Sequence, residues 1–308
     1  MTATKTPTTA RARATPRAKP PTDFQALILD SLHDRWRTFR SELKRCQKKF
    51  SEEAVHDLRV ATRRLISTLD LVDRIHPETK LRKARRALKK QLDTFSPLRD
   101  VQVQLLSIEK MLPSFPELQG FYDSLMQREH KLVQRLSIDL KGIKTGKIKA
   151  RVARAAGQLE ILLDTPAAQQ EKRTEAIQAV EIAFNRVVEC KQAIDPSDSA
   201  SIHRMRVAFK KFRYLVEALA PVLRYVTSQQ LKAMDAFQGS MGDIQDADVL
   251  LTNVRTFARQ RGTECEAALA HALEELFRRR TALIESFLGS AATLFTFWKP
   301  VSTVNGAR

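Results

Sequence analysis

Residues 55–65 read Val-His-Asp-Leu-Arg-Val-Ala-Thr-Arg-Arg-Leu, and residues 202–212 read Ile-His-Arg-Met-Arg-Val-Ala-Phe-Lys-Lys-Phe. In both segments a histidine is followed by a basic residue at i+3 and another at i+7. Downstream, residues 98–103 read Leu-Arg-Asp-Val-Gln-Val and are echoed at 244–249 by Ile-Gln-Asp-Ala-Asp-Val, at nearly the same distance from the histidine segment. Matched segments at matched separation indicate an internal repeat. They predict two similar halves that pack with approximate two-fold symmetry.

The apolar residues around the repeat recur with helical spacing. Ser51 precedes Glu52 and Glu53 as a helix N-cap, and the helix that follows is predicted to end at His76-Pro77. Breaks are expected at Pro166, Pro196, Pro221, Gly242 and Gly262. Further helices are predicted at 78–94, 98–112, 116–141, 146–164, 168–194, 199–219, 227–241, 244–260 and 263–288. The fold class is therefore all-α: a helical bundle of two pseudo-symmetric halves with a basic central groove or channel.

The composition limits both fold and partners. The 308 residues include only 9 Gly and 12 Pro, which argues against a many-stranded sandwich or a Rossmann domain. Lys and Arg number 53 against 35 Asp and Glu, a formal charge of +18. Such a surplus is solvated or faces polyanions, so nucleic acid, anionic lipid and polyphosphate are the candidate partners.

The chain divides into four predicted segments. Residues 1–22 form a basic, proline-rich arm without acids and are expected to be disordered. Residues 23–165 and 166–298 are the two helical halves, and residues 299–308 are a tail. The three cysteines have no paired spacing, and no apolar run reaches the length of a membrane span. A soluble, cytoplasmic protein without cofactors is predicted.

The repeated basic residues fall on one stripe of each helix. His56, Arg59 and Arg63 stand at i, i+3 and i+7, on a different face from the leucines of the same segment. The second half repeats the stripe with the residues His203, Arg206, Lys210 and Arg213. For one helix, a solvated basic face is the simpler interpretation. The recurrence in both halves favours a functional one, in which the two stripes meet in a cationic groove.

The role of the two repeated histidines, His56 and His203, allows three interpretations. Glu53 and His56 form Glu-x-x-His, as in carboxylate-bridged metal bundles, but Ala200 replaces the carboxylate in the second half, which disfavours a metal site. A histidine can instead donate a hydrogen bond to an anion, and a protonated one adds charge. A purely structural role is the third alternative.

Other charged residues are assigned by position. Asp100 and Asp246 are predicted at the starts of helices, where the dipole favours a carboxylate, and would orient a stripe arginine or the histidine. On the predicted helix 78–94, Arg82, Arg86 and Lys89 share a face and add to the candidate binding set, although part of this helix's charge would serve solubility alone.

Recognisable catalytic motifs are missing from the sequence. Residues 142–147 resemble a phosphate-binding loop, but the segment is one residue short and Ile148 stands where Ser or Thr coordinates magnesium. No His-Glu-x-x-His, Gly-x-Ser-x-Gly or carboxylate cluster occurs. The sequence predicts neither an enzyme nor a metal site.

With these motifs assembled, the sequence resembles the conserved histidine α-helical domain (CHAD) family over residues 23–290. The resemblance implies two helical bundles around a basic channel that binds inorganic polyphosphate, with association to polyphosphate granules. The implied ligand-facing residues are His56, Arg59, Arg63, Arg99, His203, Arg206, Lys210 and Arg213. Gln245 replaces the counterpart of Arg99 in the second half. Some family members carry a triphosphate-cleaving domain marked by Glu-x-Glu-x-Lys, and its absence here implies binding without hydrolysis.

The alternative function is non-specific nucleic-acid binding, of RNA in particular. Proteins that bind single strands add aromatic side chains on which bases stack. Aromatic residues make up 6% of this chain and do not interleave with the basic stripes, and Tyr214, beside Arg213, is the one candidate.

Overall fold

The computed structural model describes residues 23–223 and 226–299, and within these ranges the chain is helical without any strand. This confirms the predicted all-α class. The α-helices are α1 (Phe24–Lys48), α2 (Glu52–Ile75), α3 (Thr79–Thr94), α4 (Ser96–Glu109), α5 (Gln119–Lys141), α6 (Gly146–Leu162), α7 (Pro166–Gln192), α8 (Ser199–Leu219), α9 (Ser228–Arg261), α10 (Thr263–Ala268) and α11 (Ala270–Ser290). Short 3₁₀ helices span Pro116–Leu118 and Ala291–Thr296.

Local sequence explains where the two repeat helices begin and end. The Ser51 hydroxyl accepts a hydrogen bond from the backbone N–H of Ala54 at 3.2 Å, which caps α2 as expected. Asp198 caps α8 in the same way, through the N–H of Ala200 at 3.0 Å. Pro77 follows the end of α2, because proline disfavours a helical conformation in the residue before it.

The larger hydrophobic core joins α1, α2, α3, α6, α7 and α8 with parts of α5, α9 and α11. The α2 stripe is buried, with Leu58 1% and Leu65 0% exposed, and α8 contributes Phe209 and Phe212. This packing brings α2 directly against α8. The two copies of the repeated segment are therefore neighbours in space.

A second hydrophobic core lies elsewhere, formed by α4, the first part of α5, the second half of α9, α10 and the first part of α11. Both cores take residues from both predicted halves: Leu58 and Phe209 share the first, Val101 and Val254 the second. The division at 165/166 and the two-fold relation of the halves stay predictions. The arm (1–22) and all but the first residue of the tail (299–308) lie outside the described residues.

The break predicted at Gly242 is wrong, because α9 runs from Ser228 to Arg261 without interruption. A glycine inside a helix costs about 1 kcal/mol relative to alanine, which tertiary packing readily offsets. Two other predicted helices, 116–141 and 263–288, are each divided into a short first segment and a longer second one. In the part of the chain that the structure describes, no helix is long and apolar enough to cross a membrane.

Candidate functional site

The contact between α2 and α8 opens into a groove of about 650 Å³, which we name the α2–α8 groove. Helices α1 and α9 complete its walls. The lining residues are Arg35, His56, Val60, Arg63, Arg64, Arg213, Tyr214, Glu217, Leu231, Lys232, Asp235 and Gln238. Five of these side chains are Arg or Lys and two are Asp or Glu, so positive charge predominates.

Arg63 lines this groove, and Arg206 and Lys210 do not line it but interact electrostatically with Arg63; we call these three side chains the inner cluster. Burial lowers the pKa of Lys210 to about 8, and repulsion from Arg63, Arg206 and two further arginines adds to the effect. Burial, with repulsion from Arg206, also lowers the pKa of Arg63. Within the described residues, none of the three side chains has a hydrogen bond or an ion pair, and the Nε atoms of Arg63 and Arg206 are buried without a partner. Among the described residues the cluster has no directly paired acid, and the charges of Asp100, Asp243 and Asp246 act on it only from a longer distance.

Gly242 on α9 lies against the Arg206 side chain of α8. A Cβ at this position would lie 3.5 Å from both Nε and Nη2 of the Arg206 guanidinium. Gly242 is a buried position in α9, and a Cβ at this distance would make an ordinary van der Waals contact, so only a longer side chain would have to displace the guanidinium.

Arg59, predicted to face the ligand, is buried at 5% exposure and is not among the residues that line the groove. Its Nη1 donates to the backbone carbonyl of Leu92 at 3.2 Å and to the hydroxyl of Ser96 at 3.1 Å, where α3 passes into α4. Burial, together with repulsion from Arg63, lowers its pKa to about 10. Arg59 therefore joins two elements of the fold while adding its charge to the cluster.

Arg213 already has anionic partners. Its Nη1 contacts Glu217 at 2.7 Å and Asp235 at 2.9 Å, and its Nε donates to Gln238 at 3.0 Å. The guanidinium also lies 4.9 Å from the ring centre of Tyr214. These contacts fix Arg213 in the wall of the groove and neutralise much of its charge.

The two histidines occupy different surroundings. His56 is exposed and lines the groove, whereas His203 is exposed on α8 and does not line it. Glu53, the carboxylate of the Glu-x-x-His pattern, pairs with Arg45 at 3.1 Å. The role of either histidine stays a prediction.

Asp100 and Asp246 interact with the stripe arginines through their charge, without a direct hydrogen bond among the described residues. The charge of Asp100 favours the protonated forms of Arg59 and Arg63, but no hydrogen bond joins its side chain to either of them in the described structure. Asp246 stands in the middle of α9, so the expectation that it begins a helix is wrong, and the dipole argument does not apply to it. Partial dehydration raises the pKa of Asp246, and the charge of Arg206 offsets this only in part.

The remaining predicted residues lie apart from the groove lining. Arg99 on α4 donates to Glu52 at 3.0 Å. Arg82 pairs with Asp73 at 3.2 Å, and Lys89 is exposed on the same helix. A separate depression of about 430 Å³ is lined by Asp70, Asp73, Thr79, Arg82, Arg85 and Arg86. The structure therefore does not place Arg82, Arg86 or Lys89 in the lining of the α2–α8 groove.

Three basic residues of the groove were missed by sequence analysis. Arg64 follows Arg63 in the repeated segment, and this position next to a predicted site residue could have identified it. Arg35 on α1 and Lys232 on α9 belong to no repeated motif, and only the packing of helices places them in the lining.

Comparison with known proteins gives a consistent family and fold. The family model of the CHAD domain matches residues 27–255. The crystal structure of the CHAD domain from the plant Ricinus communis is similar, with a TM-score of 0.51 and 20% identity over 97% of this chain and 98% of that chain. PptA from Streptomyces chartreusis is similar with a TM-score of 0.52 and 17% identity, over 88% of this chain and 99% of that chain. No curated protein sequence gives a significant match.

Proposed function

Because this chain belongs to the CHAD domain family, a family of binding domains, we propose that it binds inorganic polyphosphate in the α2–α8 groove. Family membership supports a polyphosphate-related binding role. The choice of the groove as the site rests on the chain's own residues.

The observation that carries the proposal is the inner cluster. Arg63, Arg206 and Lys210 are three cations that repel one another, and none of them has a hydrogen-bond acceptor among the described residues. Leaving buried charge unpaired is costly, and a polyanion that brings oxygen acceptors would remove this cost. Guanidinium groups bind phosphate oxygens in a planar, two-pronged geometry, and the ammonium of a lysine adds a point charge. Polyphosphate supplies both charge and acceptors along its whole length.

We propose that the protein binds its ligand without cleaving it. Glu53 is held by Arg45, and Asp100 and Asp246 stand beside arginines, an arrangement that suits charge balance better than proton transfer. Repurified protein incubated with polyphosphate and magnesium, manganese or zinc should release no phosphate. Metal-dependent release that His56→Ala abolishes would contradict this part of the proposal.

Binding to polyphosphate would also determine where in the cell the protein accumulates. We propose a cytoplasmic location with association to polyphosphate granules, since the unpaired cations would retain the chain where the polymer accumulates. Co-sedimentation of the wild-type chain with isolated granules, and its loss with Arg63→Gln and Lys210→Gln together, is the expected result. Equal co-sedimentation of both chains would contradict it.

The second candidate ligand is single-stranded nucleic acid, and one observation favours it. Tyr214 lies in the wall of the groove beside Arg213, where a base could stack on the ring. A base-stacking platform normally uses several aromatic side chains, and among the described residues that line the groove only Tyr214 is a Phe, Trp or Tyr.

A competition experiment distinguishes the two ligands. Labelled long-chain polyphosphate is bound at physiological salt and displaced by unlabelled polyphosphate or by single-stranded RNA at equal phosphate concentration. Arg63→Gln and Lys210→Gln should each weaken binding by about tenfold or more. Arg255→Gln removes the same charge from an exposed position on α9, 13 residues beyond Gly242 and so about 20 Å along the helix, and should change little. Equal losses in all three variants would mean that binding follows net charge alone, and stronger displacement by RNA would favour the nucleic-acid function.

A further inference from the structure

The α2–α8 groove continues beyond the inner cluster onto α1. A neighbouring depression of about 160 Å³ is lined by Arg35, Thr38, Glu42, Asp57, Val60, Ala61 and Arg64. A third and much smaller space, of about 10 Å³, reaches along α2 and α8 to Ser67, Thr68 and Ala218. Arg35 and Arg64 line all three spaces, and we call these two residues the outer pair.

The outer pair brings two like charges together on different helices. Arg35 is half-buried on α1, and Arg64 is exposed on α2. Burial lowers the pKa of Arg35, repulsion from Arg64 adds to the effect, and the charges of Glu217 and Asp34 oppose it only in part. Among the described residues, neither guanidinium has a hydrogen bond or an ion pair. Such an arrangement costs free energy unless an anion lies between or beside the two groups.

The carboxylates beside the outer pair are already bound to other arginines. Glu42 and Asp57 contact Arg45, at 3.2 Å and 2.6 Å. Glu217 and Asp235 contact Arg213 at 2.7 Å and 2.9 Å. Of the residues that the structure describes, these four are the acids that line the three depressions. The fold thus pairs these acids with Arg45 and Arg213, and within the described ranges the outer pair is left without a hydrogen bond or an ion pair.

We infer that Arg35 and Arg64 form a second anion-binding subsite, which holds the part of a linear polyphosphate chain that extends past the inner cluster. The inference rests on the proposed function and deepens it. A short polyphosphate fills the inner cluster alone, whereas a long chain reaches both sets of cations. The outer pair therefore makes the protein selective for long chains.

The test compares two ligands on one double variant. Affinities for tripolyphosphate and for long-chain polyphosphate are measured by calorimetry on the full chain with Arg35→Gln and Arg64→Gln together. The affinity for the long chain should fall by about tenfold or more, while that for tripolyphosphate stays within about twofold of wild type. The slope of log K against log salt should lose roughly 1.4 for the long chain, as expected for two lost phosphate contacts on a single strand.

Matched variants separate this inference from the proposed function. The double variant Arg255→Gln with Arg259→Gln removes two exposed charges from α9 and should leave both affinities unchanged. Circular dichroism and thermal denaturation confirm that each variant folds. Equal losses for the two ligands, or no loss for either, would overturn the outer subsite while Arg63→Gln still tests the groove. Failure of the wild-type chain to bind either polyphosphate would overturn both proposals.

Discussion

Replacing Lys210 with methionine should stabilise the unliganded protein and at the same time weaken polyphosphate binding. Burial, with repulsion from the neighbouring arginines, lowers the pKa of Lys210 from 10.5 to about 8. Each pH unit of such a displacement corresponds to about 1.4 kcal/mol, so the protonated side chain costs the folded state at most about 3.5 kcal/mol. Because Lys210 keeps some contact with water, screening reduces this cost, and we expect a gain of about 1–2 kcal/mol from Lys210→Met at pH 7.

The lowered pKa of Lys210 also determines how the stability difference between Lys210→Met and wild type changes with pH. Between pH 8 and pH 10.5 the unfolded chain holds the Lys210 proton while the folded protein has released it. Stability rises with pH wherever the unfolded state binds more protons, so the wild-type protein recovers stability across this window. Below pH 8 the penalty is fully present. The difference between variant and wild type should therefore be largest near pH 7 and shrink as the pH is raised towards 10.

Thermal denaturation at several pH values measures the effect. At pH 7 a gain of this size should raise Tm by a few degrees in a chain of this length. Lys211→Met is the matched control, because Lys211 is the exposed neighbour of Lys210 on α8 and should change stability by no more than about 0.5 kcal/mol.

Binding supplies the second readout. A bound polyanion favours the protonated amine, so complex formation near pH 8 should take up protons, and calorimetry in buffers of different ionisation enthalpy should detect this uptake. The uptake should be smaller in Lys210→Met. A variant less stable than wild type at pH 7, or a stability difference that does not change with pH, would refute the assignment of Lys210 as a destabilised cation of the binding site.

Three further expectations concern the same region. Arg59→Ala loses two hydrogen bonds that join α2 to α3 and α4. The free energy of unfolding, measured in denaturant titrations, should fall by about 2–4 kcal/mol. An unchanged stability would contradict the structural role of Arg59. Gly242→Leu should displace the Arg206 guanidinium and lower the affinity for polyphosphate by about tenfold. Gly239→Leu, on an open part of the same helix, should leave the affinity unchanged. Equal affinities of the two variants would show that the position of Arg206 is unimportant for binding. In salt titrations, log K should fall with log salt at a slope of about −4 to −6 for six to eight phosphate contacts, and a slope near zero would argue against binding by charge.

The helices themselves follow from local sequence. The cap at Ser51, the proline after α2 and the buried spacing of Leu58 and Leu65 determine α2 through interactions within a few residues. The same local rules mark α8, and the repeated segments identify the two helices as counterparts. Sequence analysis was wrong at Gly242, because the cost of one glycine is small beside the packing that holds α9 together.

The sequence alone therefore determined the all-α class, the two repeat helices and the basic residues that they carry. Tertiary structure decided which of these cations have a partner. Arg213 is neutralised by Asp235 from α9, and Arg59 is bound to the junction of α3 and α4, while Arg63, Arg206 and Lys210 are left without a partner among the described residues. Arg35 lines the groove from α1 but belongs to no repeated sequence motif. The physical reason is one of range: helix formation depends on residues a few positions apart, whereas the pairing and dehydration of a charge depend on side chains that only the packing of distant helices brings together.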